Sequence, residues 1–218
     1  FNLKSQNLLP NKYGLKIGAN ISSLITNCEE GIKNPSTSLG FGFAGGFYMQ
    51  IPINNNISIN PEILYSQKSS SFEYDYVYDY DINQRDYYSS KSSITLSYVE
   101  INPTFSYLAA YNLSLNVGPS IHYMISSKHE YEQTLTDRID ETSSPEILAD
   151  GVFDEQSLDI GLNAGLSYYL NENFILNTTI YSGFMKIGDV LRPIDIQNDE
   201  PTTNLKLSNI RVSFSYLF

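Results

Sequence analysis

The sequence predicts an all-β protein: an eight-stranded antiparallel up-and-down transmembrane β-barrel with short periplasmic turns and long acidic extracellular loops. Three observations predict it. Apolar and polar residues alternate with a period of two through segment after segment, the mark of strands with one greasy and one polar face. Long connections follow the odd-numbered segments and short ones the even-numbered, as in an up-and-down barrel crossing a membrane. All but four of the 24 acidic residues fall in the long connections.

Composition supports strands. The 218 residues include 18 Tyr and 11 Phe, no Trp, and only 17% charged residues. Tyr, Ile, Ser and Thr dominate the periodic segments, which is strand chemistry. No apolar run approaches the roughly 18 residues of a spanning helix, which excludes a helical membrane protein. A net charge of -11 argues against a nucleic-acid partner, which requires basic patches. The chain lacks an initiator Met and a basic-then-apolar leader, so a removed signal peptide is expected, with residues 1–11 as a periplasmic leader and 12–218 as the barrel. Cys28 has no partner for an internal disulfide. It is read as an inert thiol in a loop, with a redox or lipidation role as the alternative.

The segments follow in order. Tyr13, Leu15, Ile17, Ala19 and Ile21 alternate with small and polar residues in the first, before a loop at 26–38. The second, Leu39 to Ile51, sets Phe41, Phe43 and Phe47 against Gly40, Gly42, Ala44 and Gly46; small residues on one face leave room for larger neighbours in a narrow barrel. Ile57, Ile59, Pro61, Ile63 and Tyr65 make the third, and a Tyr/Asp-rich loop at about 72–91 follows, whose early alternation suggests a hairpin above the membrane. In the fourth, Ile94 and Leu96 are even but Val99, Ile101, Phe105 and Tyr107 odd, which implies a bulge near Ser97. Leu113 to Ile125 is a clean fifth, followed by a long acidic loop at 126–155. The sixth runs from Leu158 to Tyr168 and the seventh from Phe174 to Phe184; a loop at 186–203 precedes the last, Ile210 to Phe218.

On this parity the apolar faces meet lipid and the polar faces line the lumen. Lys16, Glu62, Lys68, Glu100, Asp159 and Arg211 all fall on the lumen face. An unpaired charge in a narrow interior is costly, so opposite charges are expected to pair across it. Eight strands leave space only for side chains or one small ligand, which disfavours a passive channel. A soluble lipocalin-like barrel is the fold-level alternative, but it would turn these charges outward and the greasy face inward.

No catalytic, metal or cofactor site is assigned. Ser120 and His122 share the lumen face, with Glu100 on the neighbouring strand, and some small outer-membrane barrels are lipid A-modifying enzymes; residues in mid-barrel, however, cannot reach a lipid at the wall or rim. His122 reads as a hydrogen-bonded lumen filler, and His129 has no metal-ligand partners at a recognisable spacing. Asp75, Asp79 and Asp81 lack the ligand pattern and Gly of an EF-hand loop; the acidic loops read as a solvated surface, with divalent bridging to lipopolysaccharide as the alternative. Tyr74, Tyr76, Tyr78, Tyr80, Tyr87 and Tyr88 are candidates for a partner-binding surface, because Tyr supplies large contact area with little entropy loss. A plain aromatic hairpin is the other reading.

The stretch Asn60-Pro61-Glu62-Ile63-Leu64-Tyr65-Ser66-Gln67-Lys68 resembles the PorT-like outer-membrane β-barrel family of Bacteroidota. Gly14 to Asn20, Tyr98 to Pro103, Val117-Gly118-Pro119 and the terminal Phe218 match other recurrent stretches of that family. The resemblance implies a signal-peptide-bearing barrel in the bacterial outer membrane. Phe214, Tyr216 and Phe218 resemble the aromatic end of barrels whose last strand closes the wall. A few members belong to the type 9 secretion apparatus or other envelope complexes, and no functional residue carries over. The leading expectation is a structural or accessory subunit of an envelope complex acting through its loops and outer wall. A stand-alone surface barrel for adhesion or envelope integrity, and then a lipid A-modifying enzyme, are the alternatives. Expected partners are outer-membrane lipid and lipopolysaccharide, other envelope proteins, and the barrel-assembly machinery during biogenesis.

Overall fold

The structure, a computed structural model, describes residues 10–28, 33–81, 84–136, 143–148, 153–190 and 203–218. Its strands are β1 (Lys12–Cys28), β2 (Lys33–Pro52), β3 (Ile57–Asp81), β4 (Gln84–Ala110), β5 (Leu113–Thr136), β6 (Ser143–Leu148), β7 (Phe153–Glu155), β8 (Leu158–Tyr169), β9 (Phe174–Gly183), β10 (Gly188–Val190) and β11 (Thr203–Leu217). Eight of them run in the order β1-β2-β3-β4-β5-β8-β9-β11, every pair antiparallel. The last pairs with the first, from Gly14↔Leu217 to Cys28↔Thr203, so the sheet closes on itself. Short β6 pairs with the upper part of β5, and β7 and β10 pair with each other beside β11. Of the expected leader, residues 1–9 lie outside the described residues.

Several connections expected as loops are strand. β1 continues to Cys28 and β2 begins at Lys33; β3 and β4 run as one long hairpin, as the alternation at its start suggested, in continuous register from Ile57↔Tyr107 to Asp79↔Arg85. The acidic loop expected at 126–155 likewise holds the end of β5 together with β6 and β7.

These extensions evade a simple alternation reading because the polarity of the wall inverts along the strands. On β3, Ile59, Ile63 and Tyr65 face out while Asn60, Glu62, Ser66 and Lys68 face in. Further along the same strand Ser69, Ser71 and Glu73 take the outer positions, and Phe72 and Tyr74 are buried inside. β4 changes from Phe105, Ile101 and Val99 outside to Thr95, Ser93 and Lys91, with Tyr98, Leu96 and Ile94 turned inward. β11 does the same between Ile210 and Ser208. The parity switch on β4 is therefore a change of surroundings and not the expected bulge in that strand. The one-residue slip lies in its partner: Ser97 pairs with Ser126 and Tyr98 with Met124, leaving Ile125 of β5 as the extra residue.

The inversion places two solvents along one strand. The outer apolar run from Ile57 to Tyr65 matches the 9–11 or so residues that a tilted strand needs to cross hydrocarbon. Above it, water meets the outer face. There Ser69 bonds Thr95 and Ser71 bonds Ser93, each at 3.1 Å, and Lys91 pairs with Glu73 at 3.3 Å. The interior at that height is an apolar core of Leu24, Phe72, Ile94, Leu96, Leu205 and Leu207, with Tyr98 and Tyr181 at its base.

This boundary makes a prediction. Ile17 is 67% exposed on the lipid-facing wall, so Ile17→Arg should cost about 2–4 kcal/mol, and Ser69→Arg, above the apolar belt, no more than about 1 kcal/mol. Urea titration of folding into lipid vesicles measures both; equal penalties would move the boundary.

Candidate functional site

The polar lumen below this apolar core holds the one dense constellation of charge among the described residues. Strand parity puts Lys16 (β1), Glu62 and Lys68 (β3), Glu100 (β4), Asp159 (β8) and Arg211 (β11) inside, and all six are buried. Glu100 is the centre: one oxygen lies 2.7 Å from the Lys68 ammonium and the other accepts from Arg211 at 2.6 Å. Lys16 pairs with Glu62, and Arg211 also comes within 3.9 Å of it. Asn102 donates to Glu62 at 2.9 Å and to Glu100 at 3.3 Å, tying the pairs together, while Asn20 accepts from the Arg211 Nε at 2.9 Å. Asp159 stands slightly apart: it accepts from the Tyr181 hydroxyl at 2.7 Å and lies 3.8 Å from His122. The Lys68 ammonium sits over the rings of Tyr98 and Tyr181, at 5.1 and 4.9 Å. Three cations thus meet two carboxylates, Glu62 and Glu100, while Asp159 is held by the Tyr181 hydroxyl; pairing and hydrogen bonding of this kind are what make buried charge tolerable.

Two glycines make the Tyr181–Asp159 contact possible. A Cβ on Gly161 would come within 2.5 Å of the Tyr181 ring, and one on Gly183 within 2.9 Å of both Asp159 oxygens. Towards the periplasm an alternating ladder follows, one residue per strand: Asn60, Ser106, Asn116, Ser167, Asn177 and Ser215, linked by bonds of 2.6–3.0 Å. Below that, Tyr48, Ile175, Leu217 and Tyr169 form a small apolar layer. The lumen cavity beneath Glu62 measures 20 Å³, room for little more than a single water.

Proton bookkeeping decides what Ser120 and His122 do. Lys68 has only protons to give, and it lies 3.2 Å from His122 Nδ1, so that nitrogen accepts. The imidazole is then neutral with its hydrogen on Nε2, which donates to Ser120 Oγ at 2.7 Å. The serine hydroxyl in turn donates to the Asn102 amide oxygen. A serine nucleophile needs the reverse, an imidazole nitrogen free to take its proton. With both residues at most 1% exposed, the pair is arranged as packing that satisfies its own polar atoms.

The remaining candidate residues fall elsewhere. Tyr74 is 2% exposed inside the apolar core, because even positions of β3 point inward; that removes it from an outer binding surface. The side chains of Tyr76, Tyr78, Tyr80, Tyr87 and Tyr88 lie outside the described residues, but their backbone belongs to the β3–β4 hairpin, with Tyr76 opposite Tyr88. Asp75 accepts from Asn34 at 3.1 Å, and the side chains of Asp79, Asp81 and Cys28 lie outside the described residues. His129 bonds Ser92. Among the described residues no cluster of His, Cys, Asp or Glu could hold a metal ion. Phe214 and Tyr216 lie on the outer face of β11, where Phe174 of neighbouring β9 packs on them at 5.3 and 5.1 Å; at the closing seam Phe218, just past the end of β11, donates its backbone N–H to Tyr13 O at 2.8 Å. Asn20, Asn102 and Tyr181, which complete the network, were readable only as inward polar or aromatic positions.

Glu100→Gln leaves Lys68 and Arg211 without their shared counter-charge and should cost about 3–5 kcal/mol. Ser120→Ala, which strands an imidazole N–H and an amide oxygen, should cost about 1–3 kcal/mol. Urea unfolding in vesicles tests this ranking; the reverse order would displace Glu100 from the centre of the network.

The matched family model is that of an outer membrane protein beta-barrel domain, over residues 5–189. No curated protein sequence matches the chain. Solved structures of similar outline include Ail, the attachment invasion locus protein of Yersinia pestis (11% identity, TM-score 0.42, covering 96% of this chain and 100% of that one). OprG from Pseudomonas aeruginosa is similar at 11% identity and TM-score 0.45, covering 95% and 96%. The outer membrane protease OmpT from Escherichia coli is similar at 10% and 0.33, covering 99% of each chain. Nothing about function follows from likenesses of this degree. Closed strand order, lipid-facing apolar belt and family match agree: this chain belongs to the outer membrane protein β-barrel domain family and is a protein of the bacterial outer membrane.

Proposed function

We propose that the protein is a non-porin barrel that serves as a structural or accessory subunit of an envelope complex, presenting binding surface rather than a conduit or a catalytic centre. One observation carries this reading: the lumen is filled by paired charges between two apolar layers, while the β3–β4 hairpin rises well past the apolar belt. What such a barrel offers is its outside. The tyrosines at 76, 78, 80, 87 and 88 at the hairpin's far end supply contact area at low entropic cost. The partners proposed are other envelope proteins, with outer-membrane lipid and lipopolysaccharide around the wall and the barrel-assembly machinery during insertion. The stretches from Asn60 to Lys68 and from Tyr98 to Pro103 support a closer placement among PorT-like barrels of Bacteroidota.

Gentle detergent extraction from native membranes, affinity capture and native mass measurement test the proposal. Stoichiometric co-purification with other envelope proteins is expected, and should be lost when residues 76–88 are replaced by a two-residue turn while the heat-dependent gel shift of the barrel persists. Recovery as a lone monomer of 24.6 kDa plus detergent would overturn the subunit reading in favour of a stand-alone surface barrel. Ser120→Ala is expected to leave the lipid A mass profile unchanged; a lost modification would restore the enzyme.

A further inference from the structure

The periplasmic mouth of the barrel is a blind pocket of 280 Å³ that the reading above does not use. Its inner end is shut by the layer of Tyr48, Ile175, Leu217 and Tyr169, reinforced by Gln50 Nε2 donating to the Tyr169 hydroxyl at 3.1 Å. Its rim is built from two of the three short turns, β2–β3 and β4–β5. In the β2–β3 turn Asn54 Oδ1 accepts from the backbone N–H groups of Asn56 and Ile57, both at 2.9 Å, which spends that side chain on holding the loop. Asn55 and Asn56 also line the pocket, and neither commits its side-chain amide to another described residue. From the β4–β5 turn comes Tyr111, 99% exposed; Ile57 and Leu108 also line the pocket.

We propose that this mouth binds an N-acetylated glycan strand. Side-chain amides, each both donor and acceptor, match the acetamide and hydroxyl groups of such a sugar. A bare tyrosine face beside them suits the flat apolar side of a pyranose ring. Among the described residues Lys12 is the single charged one lining the site, its ammonium donating to the Glu172 carbonyl at 3.0 Å, and no carboxylate lines it, so an acidic substituent on the sugar is accepted. The volume lies just below the range of about 300–1,000 Å³ that encloses a drug-sized ligand, which suits one ring of a longer chain whose neighbours run across the rim. An extended peptide is the weaker fit: binding by strand addition needs an open sheet edge, and closure of β1 on β11 removes it at this end. A glycan of this chemistry lies on the side to which short barrel turns point.

The test is calorimetric titration of the full-length protein in detergent micelles with the disaccharide of N-acetylglucosamine and N-acetylmuramic acid. Saturable binding in the millimolar range is expected, weakened about fivefold or more by Tyr111→Ala and again by Asn56→Asp, with the heat-dependent gel shift of both variants intact. No saturable binding by about 10 mM disaccharide, or binding that both variants leave unchanged, would overturn the proposal. So would a free cell-wall stem peptide binding as tightly as the sugar. None of these outcomes bears on co-purification with envelope proteins, so this site stands or falls independently of the subunit reading.

Discussion

A strand in hydrocarbon has only another strand to pair with. Water is absent, an unsatisfied backbone group there costs several kcal/mol, and a sheet with two free edges has two rows of them. The closing ladder between β1 and β11 removes both edges at once and is therefore the constraint on which the rest depends. Once the wall is a ring, the alternation of each strand has a fixed meaning, since one side meets lipid and the other meets seven more strands. The charges inside follow from that geometry. They could not sit on the outer face of the belt, and they are tolerable in the lumen because Lys16, Lys68 and Arg211 pair with Glu62 and Glu100 and Asp159 accepts from Tyr181.

The height of a residue along its strand matters as much as its parity. Within the belt the interior is polar because the exterior is lipid; above it the interior is apolar because the exterior is water. Lys68 and Phe72 lie four residues apart on the same face of β3 and belong to opposite chemistries. Tyr98 and Tyr181 occupy the junction, with rings against the Lys68 ammonium below and membership of the apolar core above. The residues that seal the lumen are thus also those that end the membrane-spanning part.

Much of the belt was legible in the sequence. From Ile57 to Tyr65, and again from Ile210 to Phe218, side chains alternate with the period of the pleat, and no other structure presents one greasy face over that span. The inward charges were legible for the same reason. Of the strand extensions only the β3–β4 hairpin was, from the alternation at its start; the others were not, because Ser, Thr, Tyr and Asp outside an inverted core read as loop. The parity change on β4 was misread as a bulge there, since a reversal of surroundings and a slip of register leave the same trace in a single sequence; the pairing with β5 separates them. Which residues meet across the lumen was not legible either. Asn20 and Arg211 are brought together by the closing strands and Tyr181 and Asp159 by neighbouring ones, and the contacts depend on strand stagger rather than on local pattern. The periplasmic mouth was hidden for a further reason: its turns are distant in sequence and become one rim only when β3 pairs with β4.

The inverted core also means that the two halves of a single strand are held by different forces. Below, hydrogen bonds and ion pairs act where water cannot compete. Above, Phe72, Leu96 and Leu207 are held together by water's exclusion of apolar surface. Urea dissolved in the aqueous phase weakens the second far more directly than the first, and cooling weakens it too. The outer crown can therefore loosen while the spanning ring stays shut, so the barrel's exterior has a stability of its own, set by the medium outside the cell rather than by the membrane.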